Sequence, residues 1–390
     1  MAELRNRDIV CLSSVDWEPI WTRKQQVLSR LDPSNRILYV EPPGTLISPL
    51  KDPSFWKKWR PWGRWISRPR PNIYVFQPPF VLPFGHVFSG VSKLNQCWLA
   101  AWVNLAIRRL RIKRPILWTY LPGSATAARL IKHAVLVYDC VDEHGAYKGL
   151  VSERTVWKLE AELLRRADIT FVTAPGLLDR RKGLARRIYC LPNAADVAHF
   201  NKACDIEIPV PEELQRLPRP RLCFVGVIQE WVDTELLAYV AKERPEWSIV
   251  LIGPVAPGIA LHGLEKMPNV FFFGRKPKEV LPNYLKGCEV CLNVFRASAL
   301  TANVSPLKFY EYLASGRPVV STKMPAVEEF ADVIEIAADA PDFVAAAERA
   351  LKDEDAGRRE KRLARVREQS WEARVAVMQE KIMQVLQEKE

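Results

Sequence analysis

A regular alternation of short apolar runs with longer helix-like stretches constrains the fold most strongly. The runs are rich in Val, Ile and Tyr, and in the first half of the chain they read DIVCLSS, RILYVE, NIYVF, PILWTY, AVLVYDC, DITFVTA and RIYCLPN. Strands that alternate with helices predict a parallel sheet that is covered on both faces.

The alternation restarts after a linker near residues 198–219 that is rich in Pro and charge. The second set of runs reads RLCFVGV, WSIVLIG, NVFFFG, CEVCLNVF, RPVVST and DVIEIA. A chain of 390 residues is long enough for two domains. We predict an α/β protein with two Rossmann-like doubly wound domains facing a cleft, residues 1–198 and 199–370. We expect residues 371–390 to form an amphipathic helix that packs back toward the first domain.

Net charge and composition limit the class of protein. The formal charge of +12 predicts an anionic partner, which can be nucleic acid, phospholipid or a phosphorylated substrate. No apolar stretch reaches the length of a membrane span, and the N-terminus has no signal-peptide pattern, so we expect a cytoplasmic protein. The eight cysteines are scattered, and Cys288-x-x-Cys291 is a lone pair, so no metal is expected.

The segment SPLKFYE predicts a helix start that binds a diphosphate. We expect Ser305 as the N-cap and Pro306 as the first helical residue, which leaves backbone N–H groups, including that of Leu307, free for an anion. Lys308 adds a positive charge, and Glu311 lies one turn later, where a carboxylate accepts hydrogen bonds from ribose hydroxyls. The alternative is an ordinary capped helix whose Lys and Glu face solvent.

Further donor-site candidates fall where predicted strands end, the edge at which parallel sheets bind ligands. They are Gly253, Pro254, Gly274, Arg275 and Arg296. Simple turns, and a surface position for the arginines, are the alternatives.

The first half offers candidates for acceptor binding and catalysis. In YDCVDEH, Asp139, Asp142 and His144 follow a strand end, where a carboxylate or imidazole can act as general base; the alternative is a helix cap. In the loop after the first strand, we expect acceptor contacts from Asp16 and Trp17 and a phosphate contact from Arg23.

A basic, tryptophan-rich segment predicts contact with an anionic membrane surface. Tryptophans recur every three residues among Lys and Arg, at Trp56, Trp59, Trp62 and Trp65. Indole rings and cations together suit the headgroup layer of a bilayer. Packing on its own domain is one alternative; clamping single-stranded nucleic acid is another, but no RNA-binding motif accompanies the segment.

Taken in order, FVG, WSIVLIGP, NVFFFGRKP, NVF and SPLKFYEYLASGRPVVST resemble the GT-B glycosyltransferases of the large retaining group, especially family 4-like members of the teichuronic acid and exopolysaccharide type. The resemblance implies the GT-B fold. It also implies transfer of a sugar from UDP- or GDP-sugar to a lipid-linked or polysaccharide acceptor at the inner membrane face. The sugar nucleotide is then a co-substrate, no cofactor is needed, and nucleic acid is not a partner. Glu311 would hold the ribose, the Gly274 loop the base and Arg275 the phosphates.

The chain departs from that pattern in two places. Asn303 stands where many relatives carry the first of two Glu residues, and Val227 with Asp233 or Thr234 stands where many carry Arg and Lys. Two alternatives stay open: a GT-B sugar-nucleotide epimerase, which needs no acceptor, and a non-catalytic sugar-nucleotide-binding protein, which Asn303 favours.

Overall fold

The computed structural model describes residues 3–48, 65–85, 87–143, 152–352 and 356–389. It divides the chain into two compact units. The first takes in Met1–Pro192 and Arg374–Glu390, and the second Asn193–Ala373. Each unit has its own sheet, so the predicted fold class of two parallel-sheet α/β domains is confirmed.

The first unit is built on an eight-stranded sheet in the order β3-β4-β2-β1-β5-β6-β7-β8, and every neighbouring pair is parallel except β3 and β4. The strands are β1 (Asp8–Leu12), β2 (Arg36–Val40), β3 (Ile66–Arg70), β4 (Ile73–Phe76), β5 (Ile116–Thr119), β6 (Val135–Cys140), β7 (Ile169–Val172) and β8 (Ile188–Cys190). The helices that cover it are Arg23–Leu28, Ser89–Arg109, Ala125–Leu130, Glu153–Arg166, Pro175–Arg181 and most of Trp371–Gln387.

The second unit has a six-stranded, all-parallel sheet in the order β11-β10-β9-β12-β13-β14. Its strands are β9 (Arg221–Val225), β10 (Ser248–Ile252), β11 (Val270–Gly274), β12 (Val290–Asn293), β13 (Val319–Thr322) and β14 (Glu335–Ala337). The α-helices are Val197–Phe200, Glu212–Gln215, Thr234–Glu243, Leu281–Lys286, Leu307–Ala314, Pro325–Glu328, Ala340–Leu351 and Ala356–Arg367. Short 3₁₀ helices occupy Asn201–Cys204, Leu264–Lys266, Lys278–Val280 and Thr301–Asn303.

In strand β9, the four residues 222–225 are all apolar. Cys223 and Val225 pack into one core with the helix Leu307–Ala314, whereas Leu222 and Phe224 pack into a second core with the helix Thr234–Glu243. Because helices cover both faces of the sheet, alternate residues of the strand are buried on opposite sides. A continuous apolar run of this kind is characteristic of strands in a doubly wound fold.

Strand β3 was not predicted from the sequence. Its residues ISRPR are largely exposed, and it pairs antiparallel with β4 through Ile66 and Phe76. An edge strand tolerates Pro69 and charged side chains because one of its sides has no partner strand. The basic segment therefore ends as a strand of the first unit.

The C-terminal helix Trp371–Gln387 lies in the segment for which the sequence predicts an amphipathic helix. Val375, Met378 and Ile382 are buried on one face. Within the first unit, Gln379 Oε1 accepts a hydrogen bond from the backbone N–H of Leu4 at 3.1 Å. This last helix thus completes the core of the unit that begins the chain.

Candidate functional site

The carboxyl ends of β9, β10 and β11 form a glycine-lined edge in the second unit. Gly253 has a φ of +148°, and a Cβ placed on it would lie 1.8 Å from the carbonyl oxygen of Gly226. A side chain at Gly253 is therefore excluded by the backbone of the neighbouring loop. Gly274 has a φ of +61° with open space around it, so glycine serves the backbone conformation there. Pro254, which follows Gly253, accepts a hydrogen bond from Ile228 N–H at 2.9 Å.

The helix Leu307–Ala314 begins at the same edge, after β12, but not as predicted. Pro306 is the N-cap, and Ser305 is outside the helix. The hydroxyl of Ser305 accepts the backbone N–H of Asn193 at 3.0 Å, and its carbonyl accepts Asn193 Nδ2 at 2.7 Å. The expected Ser305 cap is therefore wrong, because that oxygen anchors another segment. Proline has no side-chain acceptor, so it cannot cap the first-turn N–H groups.

Lys308 and Glu311 form an ion pair on the first turn of this helix. Lys308 Nζ lies 2.5 Å from Glu311 Oε2, and the two side chains are 32% and 5% exposed. Within the described part of the chain, the other carboxylate oxygen of Glu311 has no hydrogen bond. The pair holds one nearly buried carboxylate oxygen in place and leaves the second available to a hydroxyl donor.

The other predicted donor residues lie around this edge in different environments. Arg296 donates through Nε to Val232 O at 3.3 Å, which turns its guanidinium toward the loop before Thr234–Glu243. Arg275 is exposed. Asn303 ends a 3₁₀ turn and donates to Ala299 O at 3.0 Å, so part of its amide is used within its own loop.

In the first unit, the structure brings together two residues that were predicted for separate roles. Arg23 Nε donates to both carboxylate oxygens of Asp139, at 3.1 and 3.0 Å. Arg23 is 2% exposed and Asp139 is fully buried. Arg23 Nη1 also donates to Leu191 O at 3.0 Å, whereas the buried Nη2 has no hydrogen-bond partner among the described residues. The pair ties the helix Arg23–Leu28 to the end of β6.

The loop after β1 is packed inward. Trp17 is 4% exposed, and its ring meets Tyr39 edge-on with centroids 5.0 Å apart. The carbonyl of Asp16 accepts a hydrogen bond from Gln25 Nε2 at 2.9 Å. An acceptor contact by Trp17 stays a prediction, and little of its ring is exposed to make one.

Asp142 lies just past β6 and is partly buried, while His144 lies outside the described residues. The intervening Glu143 is tied to two arginines, Arg180 at 3.1 Å and Arg181 at 3.3 Å. Among these acidic residues, Asp142 has the greatest exposure, since Asp139 and Glu143 are buried in ion pairs.

Comparison with known proteins decides what kind of protein carries these features. Residues 219–353 match the family of group 1 glycosyl transferases. Over 278 residues the chain is 28% identical to the putative teichuronic acid biosynthesis glycosyltransferase TuaH of Bacillus subtilis, covering 66% of this chain and 69% of TuaH. These matches support glycosyltransferase function, and the matched family domain lies within the second unit.

Solved structures share the whole fold of this glycosyltransferase. The sucrose-phosphate synthase of Thermosynechococcus elongatus matches with a TM-score of 0.69 at 14% identity, over 98% of this chain and 100% of that one. Anabaena HepE, solved with UDP and glucose, matches with a TM-score of 0.67 at 13% identity, over 98% and 100% of the two chains. These similarities extend the fold assignment to both units.

Sequence analysis missed a buried lysine beside the Arg23–Asp139 pair of the glycosyltransferase. Lys24 is 5% exposed, and its Nζ lies 5.2 Å from the centroid of the Tyr120 ring. The buried hydroxyl of Tyr120 has no hydrogen-bond partner in the part of the chain that the structure describes. Burial lowers the pKa of Lys24, although Asp142 and Asp139 oppose the shift. We call Arg23, Lys24, Tyr120, Asp139 and Asp142 the Arg23–Asp139 cluster. The only signal in the sequence was a second cation beside Arg23.

Lys24→Met should raise the free energy of unfolding by about 1 kcal/mol, because it removes a buried charge that the fold disfavours. The folded pKa lies below the ordinary one, so the unfolded chain binds more protons between the two values, and stability rises with pH across that interval. The Lys24→Met variant should lack this rise of stability with pH. Thermal unfolding from neutral pH to about pH 11 measures both effects, in a range that includes the ordinary pKa of lysine.

The exposed Lys132→Met is the matched control and should change neither quantity. A Lys24→Met protein that is less stable than the wild type would mean that the folded state favours the charge.

Of the four predicted membrane tryptophans, only Trp65 lies among the described residues. Its ring meets Trp102 edge-on with centroids 4.5 Å apart, so it packs against the helix Ser89–Arg109. Nothing in that contact tests membrane binding by Trp56, Trp59 or Trp62, which stays a prediction.

No helix within the described ranges is both long and apolar enough to cross a membrane.

Proposed function

We propose that this glycosyltransferase transfers a hexosyl group from UDP- or GDP-sugar to a hydroxyl of a lipid-linked or polysaccharide acceptor, with retention of configuration, at the cytoplasmic face of the membrane. The observation that carries the donor assignment is the Lys308–Glu311 pair on a helix start at the carboxyl edge of the sheet. The N–H groups and Lys308 suit a diphosphate, and Glu311 suits the ribose.

Two relatives support this choice of substrates. HepE was solved with UDP and glucose, and TuaH is described as a putative enzyme of teichuronic acid biosynthesis. On the acceptor side, Asp142 is our candidate for taking up the proton of the attacking hydroxyl, with His144 as second candidate. In the retaining mechanism, the departing phosphate is an alternative proton acceptor.

The membrane part of the proposal rests on the distribution of charge. Residues 53–138 contain fourteen Lys or Arg and no Asp or Glu. We call this the acid-free stretch. It has a larger positive charge than the net +12 of the whole chain, so the remainder is slightly acidic. A lipid-linked acceptor lies in an anionic bilayer, which attracts such a surface.

The test is release of nucleoside diphosphate from a panel of UDP- and GDP-sugars, with and without a bacterial lipid extract. We expect release with one donor, dependent on the extract and unchanged by EDTA. Epimerised sugar nucleotide without an acceptor would indicate an epimerase. Donor binding with no turnover across the panel would identify a binding protein and refute transfer.

A further inference from the structure

A cavity of about 460 Å³ lies in the first unit, between the β3–β4 hairpin and the last turns of the helix Ser89–Arg109. Its lining is aromatic and aliphatic, apart from two arginines. The lining residues are Trp65, Ile66, Phe76, Trp102, Leu105, Ala106, Arg108 and Arg109. We call it the indole groove. Its volume is within the range of cavities that bind small apolar ligands.

The walls of the indole groove are built from packed rings. Trp102 lies between two other indoles, with centroids 4.5 Å from Trp65 and 5.7 Å from Trp98, both edge-on. Phe76 and Ala106 in its lining are buried. These rings pack against one another and give the groove apolar walls, which favour contact with a hydrocarbon chain.

The helix that forms one wall also exposes three apolar side chains, of which only Leu105 lines the groove. Leu94, Trp98 and Leu105 are 64%, 48% and 50% exposed. Their spacing of four and seven residues puts them on one side of the helix. Exposed apolar residues aligned in this way mark a surface that meets a membrane or a partner.

The charge at the end of this helix favours a membrane over a protein partner. Arg108 and Arg109 end the helix, are exposed, and form no ion pair with any described residue. The groove and the exposed side of the helix both lie within the acid-free stretch, so no carboxylate of that stretch competes for these guanidinium groups. An apolar channel bordered by unpaired arginines matches a molecule with a hydrocarbon chain and a phosphate.

We propose that the indole groove binds one hydrocarbon chain of an anionic phospholipid of the bilayer, with the lipid phosphate at Arg108 and Arg109. This is a lipid site additional to the helix start that carries Lys308 and Glu311 and to the Arg23–Asp139 cluster, and it rests on none of the transfer chemistry proposed above. Binding there anchors the first unit to the membrane through a defined lipid as well as through diffuse charge.

The test uses monododecyl phosphate below its micelle concentration, with binding to the full chain measured by titration calorimetry. We expect saturable binding of one molecule per chain. Dodecyl maltoside has the same alkyl chain without the phosphate, and inorganic phosphate has no chain; both should bind at least tenfold more weakly. Equal binding of either one would overturn the proposal, because the groove would then not recognise a lipid phosphate.

Matched variants locate the site. Arg108→Gln with Arg109→Gln should weaken binding about thirtyfold, since each cation contributes about a factor of five near a lipid phosphate. The control pair, Arg129→Gln with Lys132→Gln, removes two exposed charges outside the groove and should stay within threefold of the wild type. Leu105→Glu should abolish binding, whereas Leu94→Glu, exposed on the same helix but outside the lining, should not.

Flotation of the same variants with phosphatidylglycerol vesicles should give the same order. Equal losses in groove and control variants would mean that general surface charge binds the membrane, and the groove would be excluded. These substitutions are at exposed positions, so unchanged thermal unfolding is the check that each variant is folded. The assay contains no sugar donor, so its outcome is independent of whether the chain transfers sugar.

Discussion

Asp139→Asn should lower the free energy of unfolding by about 3–5 kcal/mol, because it leaves a buried guanidinium without its counter-charge. Asp139 is fully buried and accepts from Arg23 Nε at 3.0 Å, and within the described ranges Arg23 Nη2 already lacks a hydrogen-bond partner. Removing one member of a buried pair costs more than the pair contributes, since the remaining charge stays desolvated. Calorimetric unfolding of variant and wild type at neutral pH measures the difference.

Asp142→Asn is the matched control from the same segment, and it should cost less than about 1 kcal/mol because Asp142 is only partly buried. If Asp142 takes the acceptor's proton, this variant loses turnover at wild-type stability. An Asp139→Asn enzyme with wild-type stability and no activity would assign the catalytic role to Asp139 instead. An Arg23→Met, Asp139→Asn double variant should show strong coupling between the two sites.

Glu311→Gln should lower kcat/KM for the sugar nucleotide about 10–100-fold, and weaken binding of the nucleoside diphosphate to a similar degree. Hydrogen bonds to a charged group contribute about 1.5–3 kcal/mol, and glutamine keeps the shape while losing the charge. The loss should be in binding as well as in turnover, because the ribose is held in both ground and transition states. Steady-state kinetics and calorimetry with the free nucleotide measure the two quantities.

Glu328→Gln, on an exposed position of the same unit, is the control and should have wild-type kinetics. A second variant, Lys308→Met, removes the ammonium group that lies 2.5 Å from Glu311. We expect this variant to weaken binding of the nucleoside diphosphate more than binding of a nucleoside without phosphates. Unchanged donor kinetics in Glu311→Gln would exclude this helix as the ribose site.

Most strands of the two sheets could be predicted because they are buried. Strands such as β5 and β9 are buried on both faces, and continuous apolar runs between helix-like stretches are characteristic of that burial. Strand β3 escaped the same reasoning because an edge strand with charged residues has no such run. The fold class could therefore be predicted from the sequence, whereas the edge strand β3 could not.

The residues of the candidate sites likewise divide into those whose arrangement the sequence could predict and those whose arrangement it could not. Lys308 and Glu311 are three residues apart on one helix, so their proximity follows from helix geometry alone. Ser305 was mistaken for a cap because the residue that binds its hydroxyl, Asn193, is more than a hundred positions away. Arg23 and Asp139 were given separate roles because no local pattern pairs residues 116 positions apart.

By itself the sequence determined the two α/β domains, the glycine-bearing strand ends and the helix that carries Lys308 and Glu311, because burial and helix periodicity act over a few residues. Only the tertiary structure decided that Asp139 belongs to a buried ion pair, that Lys24 lies beside it, and that Trp65 and Trp102 enclose a groove with Arg108 and Arg109. Those arrangements depend on which distant side chains share a desolvated space, and packing of the whole unit sets that.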